Sequence, residues 1–362
     1  MECGPAPTRA NRTGASTPAR VILLDVRCLS RVQLVLLLLG VMRAIASERI
    51  GDIEFFGYKG LDVERVRASL PVHEGEEYSD RTKSQVRKAV AAAIGKQPTD
   101  VAAICCDEKG NRLLFIGVPG ASYKAFAYNP APTGDERLTA DIMELYGRLD
   151  QALEAAVRKG GQAAEEDDSN GYALIRDPAA RSLQLAVRQW ALKNEQQLMR
   201  VLASSSAAEH RRVASDALGY ARQSHDQILA LVQAARDPDD EVRNNATRAL
   251  GVLVRSNNAL AAEIPPDTFI EMLNSGVWSD RNKGSSLLMQ LTVKRSPDLL
   301  AKIRSVALDS LVEMASWRRP GHAFFPRIIL GRVAGLPEDR LQKLAWHGPV
   351  DAITTAASGR RP

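Results

Sequence analysis

A short motif that returns at a fixed spacing constrains this chain more than any other feature of its sequence. Ala217-Leu218-Gly219 recurs 32 residues later as Ala249-Leu250-Gly251, and each copy ends a stretch with the apolar spacing of an amphipathic helix. A period of roughly 20 to 50 residues is typical of arrays in which helix pairs stack on their sequence neighbours. The C-terminal half is therefore predicted to be an α-solenoid.

Further partial copies extend this array. Residues 243–251 align with residues 281–289 at an offset of 38, and another Leu-Gly step occurs at Leu330-Gly331. Spacing can vary in such arrays, since neighbouring units meet only through their helices and insertions fall in the turns. We therefore expect helix pairs from 177 to 357, followed by a disordered tail at 358–362.

The segment 237–251 resembles the first helix of a HEAT repeat. It reads Asp237-Pro238, then Val242-Arg243, Ala246 and Ala249-Leu250-Gly251. The resemblance implies a mainly α fold, a HEAT-like, armadillo-type solenoid of four or five helix pairs. It also implies that the first helix of each pair forms the convex side and the second helix the concave side, where a protein or peptide would bind.

Two sets of polar residues are candidates for contacts with that partner. If the HEAT geometry holds, second-helix residues line the concave face: Gln227, Gln233, Asp267, Thr268, Glu271 and Asn274. A second cluster spans two first helices and includes Asn245, Arg248, Arg281 and Lys283. The alternative interpretation of this second cluster is a ladder in which Arg243 and Asp residues tie one unit to the next.

Residues 50–118 have a different pattern, which predicts a small β-α-α-β-β domain. Strands are expected at 50–57, 101–106 and 112–118, and helices at 62–70 and 81–94, with Asp80 as a possible cap. This order, with Ile53, Phe55 and Gly57, resembles the polypeptide-transport-associated (POTRA) domain. The resemblance implies peptide binding by strand addition; the alternative is an unrelated small α+β domain. Residues 119–135, rich in Pro and Gly, are predicted to be a linker, and 138–176 a helix followed by an acidic loop.

The N-terminus has the features of a secretory signal peptide, predicted at 1–46. An Arg-containing region precedes an apolar run at 32–42, which is shorter than the roughly 20 residues of a spanning helix. Ala44 and Ala46 then provide a small-x-small cleavage pattern before Ser47. The alternatives are a buried helix or a short membrane anchor. We therefore expect a periplasmic or secreted protein of a bacterial envelope, without membrane contact once the leader is removed.

The net charge argues against nucleic acid as a partner. The formal charge is +5, and an excess of four positive charges lies in the first 47 residues, so the remainder carries +1. Binding to nucleic acid usually requires a basic surface. The sequence therefore favours a protein or peptide partner.

Catalytic and metal-binding motifs are weak in this sequence. Glu166, Asp168, Asn170 and Asp177 mimic the ligand spacing of a calcium-binding loop, but a solvated acidic loop with Asp177 starting the next helix explains them equally. Cys105 and Cys106 are expected to point to opposite faces of a strand and not to bridge each other. No cofactor is predicted. The sequence thus predicts an exported, non-catalytic interaction scaffold; the alternatives are a HEAT-like enzyme of the lyase or glycosylase type and an accessory subunit of outer-membrane assembly or secretion.

Overall fold

The computed structural model describes residues 48–357 and residue 359. The predicted signal peptide at 1–46 and most of the predicted tail lie outside these residues. Within the described part, no helix is both long enough and apolar enough to cross a membrane.

The N-terminal region has the predicted β-α-α-β-β order around a small mixed sheet. Its elements are β1 (Ile50–Phe56), α1 (Val63–Ala68), α2 (Thr82–Ile94), β2 (Asp100–Ile104) and β3 (Arg112–Gly117). In the sheet β3 is central, parallel to β1 and antiparallel to β2. Val86 and Val90 of α2 pack with Leu114 and Ile116 of β3 in a buried core. Membership of the POTRA family stays a prediction.

Local side chains and backbone geometry explain where the two short helices begin and end. Asp62 caps α1 by accepting a hydrogen bond from the Arg65 amide at 3.0 Å. Gly95 ends α2 in a left-handed conformation that glycine adopts without a steric penalty. The expected Asp80 cap is wrong, because the helix starts at Thr82, whose hydroxyl accepts from the Ser79 amide at 3.0 Å.

The two adjacent cysteines correct another expectation. The structure joins Cys105 and Cys106 in a disulfide, across a cis peptide bond. Strand β2 ends at Ile104, so both cysteines lie beyond it. The alternation of side chains along a strand, on which the expectation depended, does not apply there.

The rest of the described chain is nearly all helical, which confirms the predicted mainly α solenoid. A long helix, α3 (Ala140–Lys159), leads to a short hairpin, β4 (Glu166–Asp167) and β5 (Leu174–Ile175). The helices that follow are α4 (Pro178–Ala191), α5 (Glu195–Ser204), α6 (Ala208–Leu218), α7 (His225–Ala234), α8 (Asp240–Ser256), α9 (Asp267–Met272), α10 (Trp278–Leu291), α11 (Pro297–Ala315), α12 (Pro320–Val333), α13 (Glu338–His347) and α14 (Val350–Ala357).

The solenoid helices form two rows. The inner row consists of α4, α6, α8, α10 and α12, and the outer row of α5, α7, α9, α11 and α13. Successive inner helices from α6 onward pack closely on one another, whereas the outer helices meet less and expose apolar side chains such as Leu229 and Val306. In a curved stack the more closely packed row lies on the concave side. The helices that carry the Leu-Gly step are therefore inner, and their expected place on the convex side is wrong; α8 also continues past Gly251 to Ser256.

Buried ion pairs tie neighbouring inner helices together, as the ladder interpretation proposed. Arg211 of α6 donates to Asp237 in the turn before α8, and Arg243 of α8 donates to Asp280 of α10, both at 2.8 Å. All four side chains are at most 5 % exposed. Each pair links one unit to the next, so the ladder fixes the stacking of the inner row.

The predicted linker at 119–135 does connect the two parts, but it is bound along the solenoid. Its backbone pairs with the C-terminal ends of successive outer helices or the turns after them: Lys124 with Asn274, Asn129 with Arg236 and Gly134 with Ser204, at 2.7–2.9 Å. The segment therefore runs along one edge of the array in the direction opposite to the repeats.

The sheet packs against the C-terminal part of the same array. Phe115 of β3 contacts the rings of Trp278 and Trp317, each at 5.0 Å between centroids. Glu313 of α11 accepts hydrogen bonds from the Gly57 and Lys59 amides at 2.7 and 2.8 Å. One face of the sheet, with Phe56, Leu113 and Phe115, therefore belongs to the solenoid core, while the other face has a separate core with α1 and α2.

Candidate functional site

A trough runs along the inner helices α6, α8 and α10, and it is the candidate site. It contains two pockets of about 400 and 280 Å³ that meet at Glu166 and Arg248. Helix α3 and the hairpin β4–β5 flank the first pocket, while α8 and α10 provide most of the second. We call these two cavities together the inner trough, with its first and second pocket.

Helical spacing creates the polar lining of the inner trough. Residues three or four apart share one face of a helix, and such positions on successive inner helices carry polar side chains. They are Arg212 and Asp216 on α6, Asn244, Asn245 and Arg248 on α8, and Asn282, Lys283, Ser286 and Gln290 on α10. Because the helices stack side by side, these short rows form one continuous polar surface.

A chain of charged and polar groups crosses the first pocket. Tyr146 of α3 donates to the Asp216 carboxylate at 3.1 Å, and Asp216 lies 3.8 Å from Arg248, which in turn pairs with Glu166. Burial raises the pKa of Asp216. Burial also acts to raise the pKa of Glu166, but Arg248, with Lys283 and Arg255, outweighs it and lowers that pKa. The ion pair of Glu166 and Arg248 thus separates the two pockets.

The second pocket holds polar groups without partners. Asn282 is 7 % exposed and, among the described residues, nothing hydrogen-bonds its side-chain oxygen. Lys283 is partly buried beside Arg248 and Arg255. Burial and those two guanidinium groups lower its pKa to about 8. A buried polar group without a partner is costly, so this pocket is suited to a ligand that supplies hydrogen bonds and negative charge.

The predicted inner-row candidates divide between the trough and the core. Asn245, Arg248 and Lys283 line the trough. Arg281 does not, because its guanidinium is fully buried over the Phe56 ring and donates to the Ser275 carbonyl at 2.6 Å. Burial lowers the pKa of Arg281 to about 10. The expectation that Arg281 contacts a partner is therefore wrong; it anchors the sheet to α10.

Three of the outer-row candidates are buried, so the expectation that they line an open face is wrong. Gln227 donates to the Leu218 carbonyl at 2.6 Å, Thr268 accepts from Arg236 at 3.1 Å, and Asn274 donates to the Val306 carbonyl at 3.0 Å. These bonds join elements within and between repeats. The three side chains are at most 8 % exposed.

The other three outer-row candidates are engaged within the chain. Asp267 pairs with Lys302 at 2.7 Å, and Glu271 pairs with Arg236 at 2.7 Å. The backbone carbonyl of Gln233 accepts a hydrogen bond from the Asn129 side chain at 3.1 Å, although the side chain of Gln233 itself is exposed. The outer row thus serves mainly to hold repeats and the 119–135 segment together.

The calcium-loop candidates do not converge. Glu166 pairs with Arg248, Asp168 with Arg255, and Asp177 with Lys159, while the Asn170 amide lies near Ser169. Asp177 also caps α4 by accepting from the Ala179 and Ala180 amides. Across residues 48–357, no group of three or more His, Cys, Asp or Glu side chains could hold a metal ion. The structure therefore agrees with the alternative, in which Asp177 starts the next helix.

Several trough residues are absent from the sequence-based candidates. Tyr146 and Asp150 come from α3, whereas Glu166 comes from the hairpin and was a candidate only for calcium. Their proximity to α6 and α8 depends on long-range packing. Asp216 could have been predicted from the sequence, because it occupies the repeat position that corresponds to Arg248, 32 residues earlier.

Comparison with known families identifies the repeat. The HEAT repeat model matches residues 228–256, from within α7 to the last residue of α8. This confirms the predicted HEAT repeat and corrects its internal order, because the Leu-Gly helix is the second helix of the matched unit. No curated protein matches the chain.

The solved structures that match this chain have low sequence identity and low TM-scores. They include a computationally designed armadillo repeat protein for modular peptide recognition, with 15 % identity, a TM-score of 0.37 and 61 % and 100 % of the two chains covered. A second is a designed armadillo repeat protein in complex with the peptide (KR)4, with 12 % identity, a TM-score of 0.35 and coverage of 61 % and 99 %.

Proposed function

We propose that this protein is an interaction scaffold that binds an extended peptide segment of a partner protein in the inner trough. The observation that supports this most directly is the row of polar side chains on successive inner helices, which includes the unpartnered Asn282 oxygen. An extended peptide presents a donor and an acceptor at every residue except proline. Regularly spaced side chains on stacked helices can bond such a backbone repeatedly, and a partner of this kind would satisfy the groups that the chain leaves open.

The test is selection of binders followed by blocking of the trough. A random peptide library is displayed against the full chain, and enriched peptides are measured by fluorescence anisotropy. Asn244→Trp fills the first pocket and Ser286→Trp the second, whereas Val306→Trp places the same side chain on the exposed outer surface. We expect at least tenfold weaker binding to one or both trough variants and unchanged binding to V306W. Failure to enrich any peptide, or equal binding by all three variants, would contradict the proposal.

We also propose that the scaffold works outside the cytoplasm, which the predicted leader supports. Expression of the full chain in a bacterial host, followed by fractionation and N-terminal sequencing, tests this. A mature chain that begins at Ser47 in the periplasmic or extracellular fraction is the expected result. An uncleaved chain in the cytosol would refute it.

Catalysis in the first pocket is a second candidate function. Burial raises the pKa of both Asp150 and Asp216, and these carboxyls line one pocket beside Arg248. Carboxyls with raised pKa values can act as general acids near neutral pH. Screening the full chain and Asp216→Asn against chromogenic glycosides and esters separates the two functions. Turnover that D216N abolishes would establish catalysis, and equal background rates in both proteins would reject it for these substrates.

A further inference from the structure

The hairpin β4–β5 places two carboxylates of this chain in the inner trough. Glu166 pairs with Arg248 and Asp168 with Arg255, and both arginines lie on the same helix, α8. Glu166 and Asp168 are two residues apart, so in an extended segment they project to the same side. An acidic segment of the chain thus already occupies cations of the trough.

These two contacts are weakly held. The side chains of all four residues are 26–38 % exposed, so solvent partly screens both ion pairs and limits their contribution to stability. The other strand anchors the hairpin, because Leu174 and Ile175 are buried and the Ile175 amide donates to Gln184 at 2.8 Å. The carboxylates can therefore leave their arginines without loss of the fold.

Among the residues that line the second pocket, positive charge exceeds negative charge: Arg248, Arg255 and Lys283 face Glu166. Two carboxylates from outside this lining also reach the arginines, Asp168 at Arg255 and Asp216, 3.8 Å from Arg248. Among the described residues, Lys283 forms no ion pair or hydrogen bond, so its ammonium has no direct partner. The neighbouring His322 is partly buried, and this burial lowers its pKa to about 4, so it is neutral at pH 7 and adds no charge. An incoming acidic group would find the Lys283 ammonium beside the two arginines, whereas the Asn282 oxygen can accept only from an N–H of the peptide backbone.

We propose that the second pocket recognises a peptide segment with closely spaced carboxylates, and that Glu166 and Asp168 are an internal competitor for that segment. The proposal rests on the scaffold function above and adds the chemistry of the partner. The incoming carboxylates take Arg248, Arg255 and Lys283, and the displaced hairpin carboxylates become solvated. A partner therefore binds only if its carboxylates interact with these cations more favourably than Glu166 and Asp168 do.

Variants of the hairpin test this inference with a matched control. Glu166→Gln with Asp168→Asn frees both arginines. Glu165→Gln with Asp167→Asn removes the same charge from the same hairpin, but these carboxylates pair with Arg176 and Arg181 on the α4 side. The probe is a fluorescent eight-residue peptide with Glu and Asp two positions apart, compared with its Gln and Asn counterpart. Binding to the full chain is measured by anisotropy at low and high salt.

We expect the E166Q/D168N protein to bind the acidic peptide about five- to tenfold more tightly than wild type, and the E165Q/D167N protein to match wild type within about twofold. Lys283→Met should weaken acidic binding about tenfold, and added salt should weaken it in every protein. Equal affinity of the acidic and amide peptides, or equal gains in both double variants, would overturn the inference. If the inference fails but S286W still weakens binding of the library-selected peptides, the proposed scaffold function stands. If S286W has no effect on any library-selected peptide, both the inference and the scaffold function are refuted.

Discussion

The buried pair of Arg243 and Asp280 provides a quantitative test of how the inner row is held together. Arg243 donates to both carboxylate oxygens of Asp280 at 2.8 and 3.1 Å and to the Asp237 carbonyl at 2.8 Å. Its guanidinium also lies 4.5 Å from the centre of the Tyr128 ring, which belongs to the 119–135 segment. One side chain thus joins two inner helices and the edge segment.

Removal of one partner leaves the other buried and without its counter-charge. Arg243→Ala leaves Asp280 with Ser275 as its remaining side-chain hydrogen-bond donor. Breaking a buried ion pair in this way costs about 3–5 kcal/mol. With a urea m-value of about 3 kcal/mol/M, the unfolding midpoint should fall by about 1–1.7 M. Tryptophan fluorescence and circular dichroism in urea provide the measurement.

Two comparisons make the reasoning refutable. Arg222→Ala removes an arginine that is 74 % exposed and should change the free energy of unfolding by less than about 0.5 kcal/mol. Arg243→Met with Asp280→Asn removes both charges and should cost clearly less than the sum of the single changes. The account of the ladder fails if R243A is no more destabilising than R222A, or if the two charge removals are additive.

Three further predictions concern single residues. Lys283→Met should stabilise the protein at pH 7, because the folded-state pKa of about 8 lies below the ordinary 10.5, and thermal melts should show this gain shrinking as pH rises from 8 to 10.5. Glu338→Gln should destabilise at pH 7, because hydrogen bonds from Arg332 lower the pKa of Glu338 to about 2; the deficit relative to wild type should vanish as pH falls from 4.5 to 2, and a constant deficit would contradict it. Gly57→Ala should cost at least about 1–2 kcal/mol in urea unfolding, since Gly57 has a φ of +77° and a Cβ would overlap the Val118 carbonyl; a neutral change would contradict it.

Local patterns were sufficient to predict most elements but not which row of helices faces inward. The Ala-Leu-Gly spacing located the repeated helices, and Asp177 and Gly95 marked a helix start and end. Whether a helix is first or second in its unit depends on where the unit begins, and a periodic sequence has no unique starting point. The assignment of the concave face therefore failed, and Gln227, Thr268 and Asn274 were chosen from the wrong row.

The sequence predicted only part of the candidate site, because some of its residues are brought together by long-range packing. Asn245, Arg248 and Lys283 are spaced along helices and could be identified from period alone. Glu166 reaches Arg248 across 82 positions of chain, and such proximity depends on packing rather than on local pattern. The same applies to residues 119–135, whose Pro and Gly content predicts irregular backbone but not the surface along which it runs.

Hydrogen–deuterium exchange of the full chain, with and without a saturating library-selected peptide, tests the central claim most directly. Binding in the inner trough should increase protection in 244–255 of α8 and 282–290 of α10, and leave the outer helices at 225–234 and 267–272 unchanged. Protection confined to the outer helices, or to strands β1 and β2 at the edges of the sheet, would show that the partner binds elsewhere.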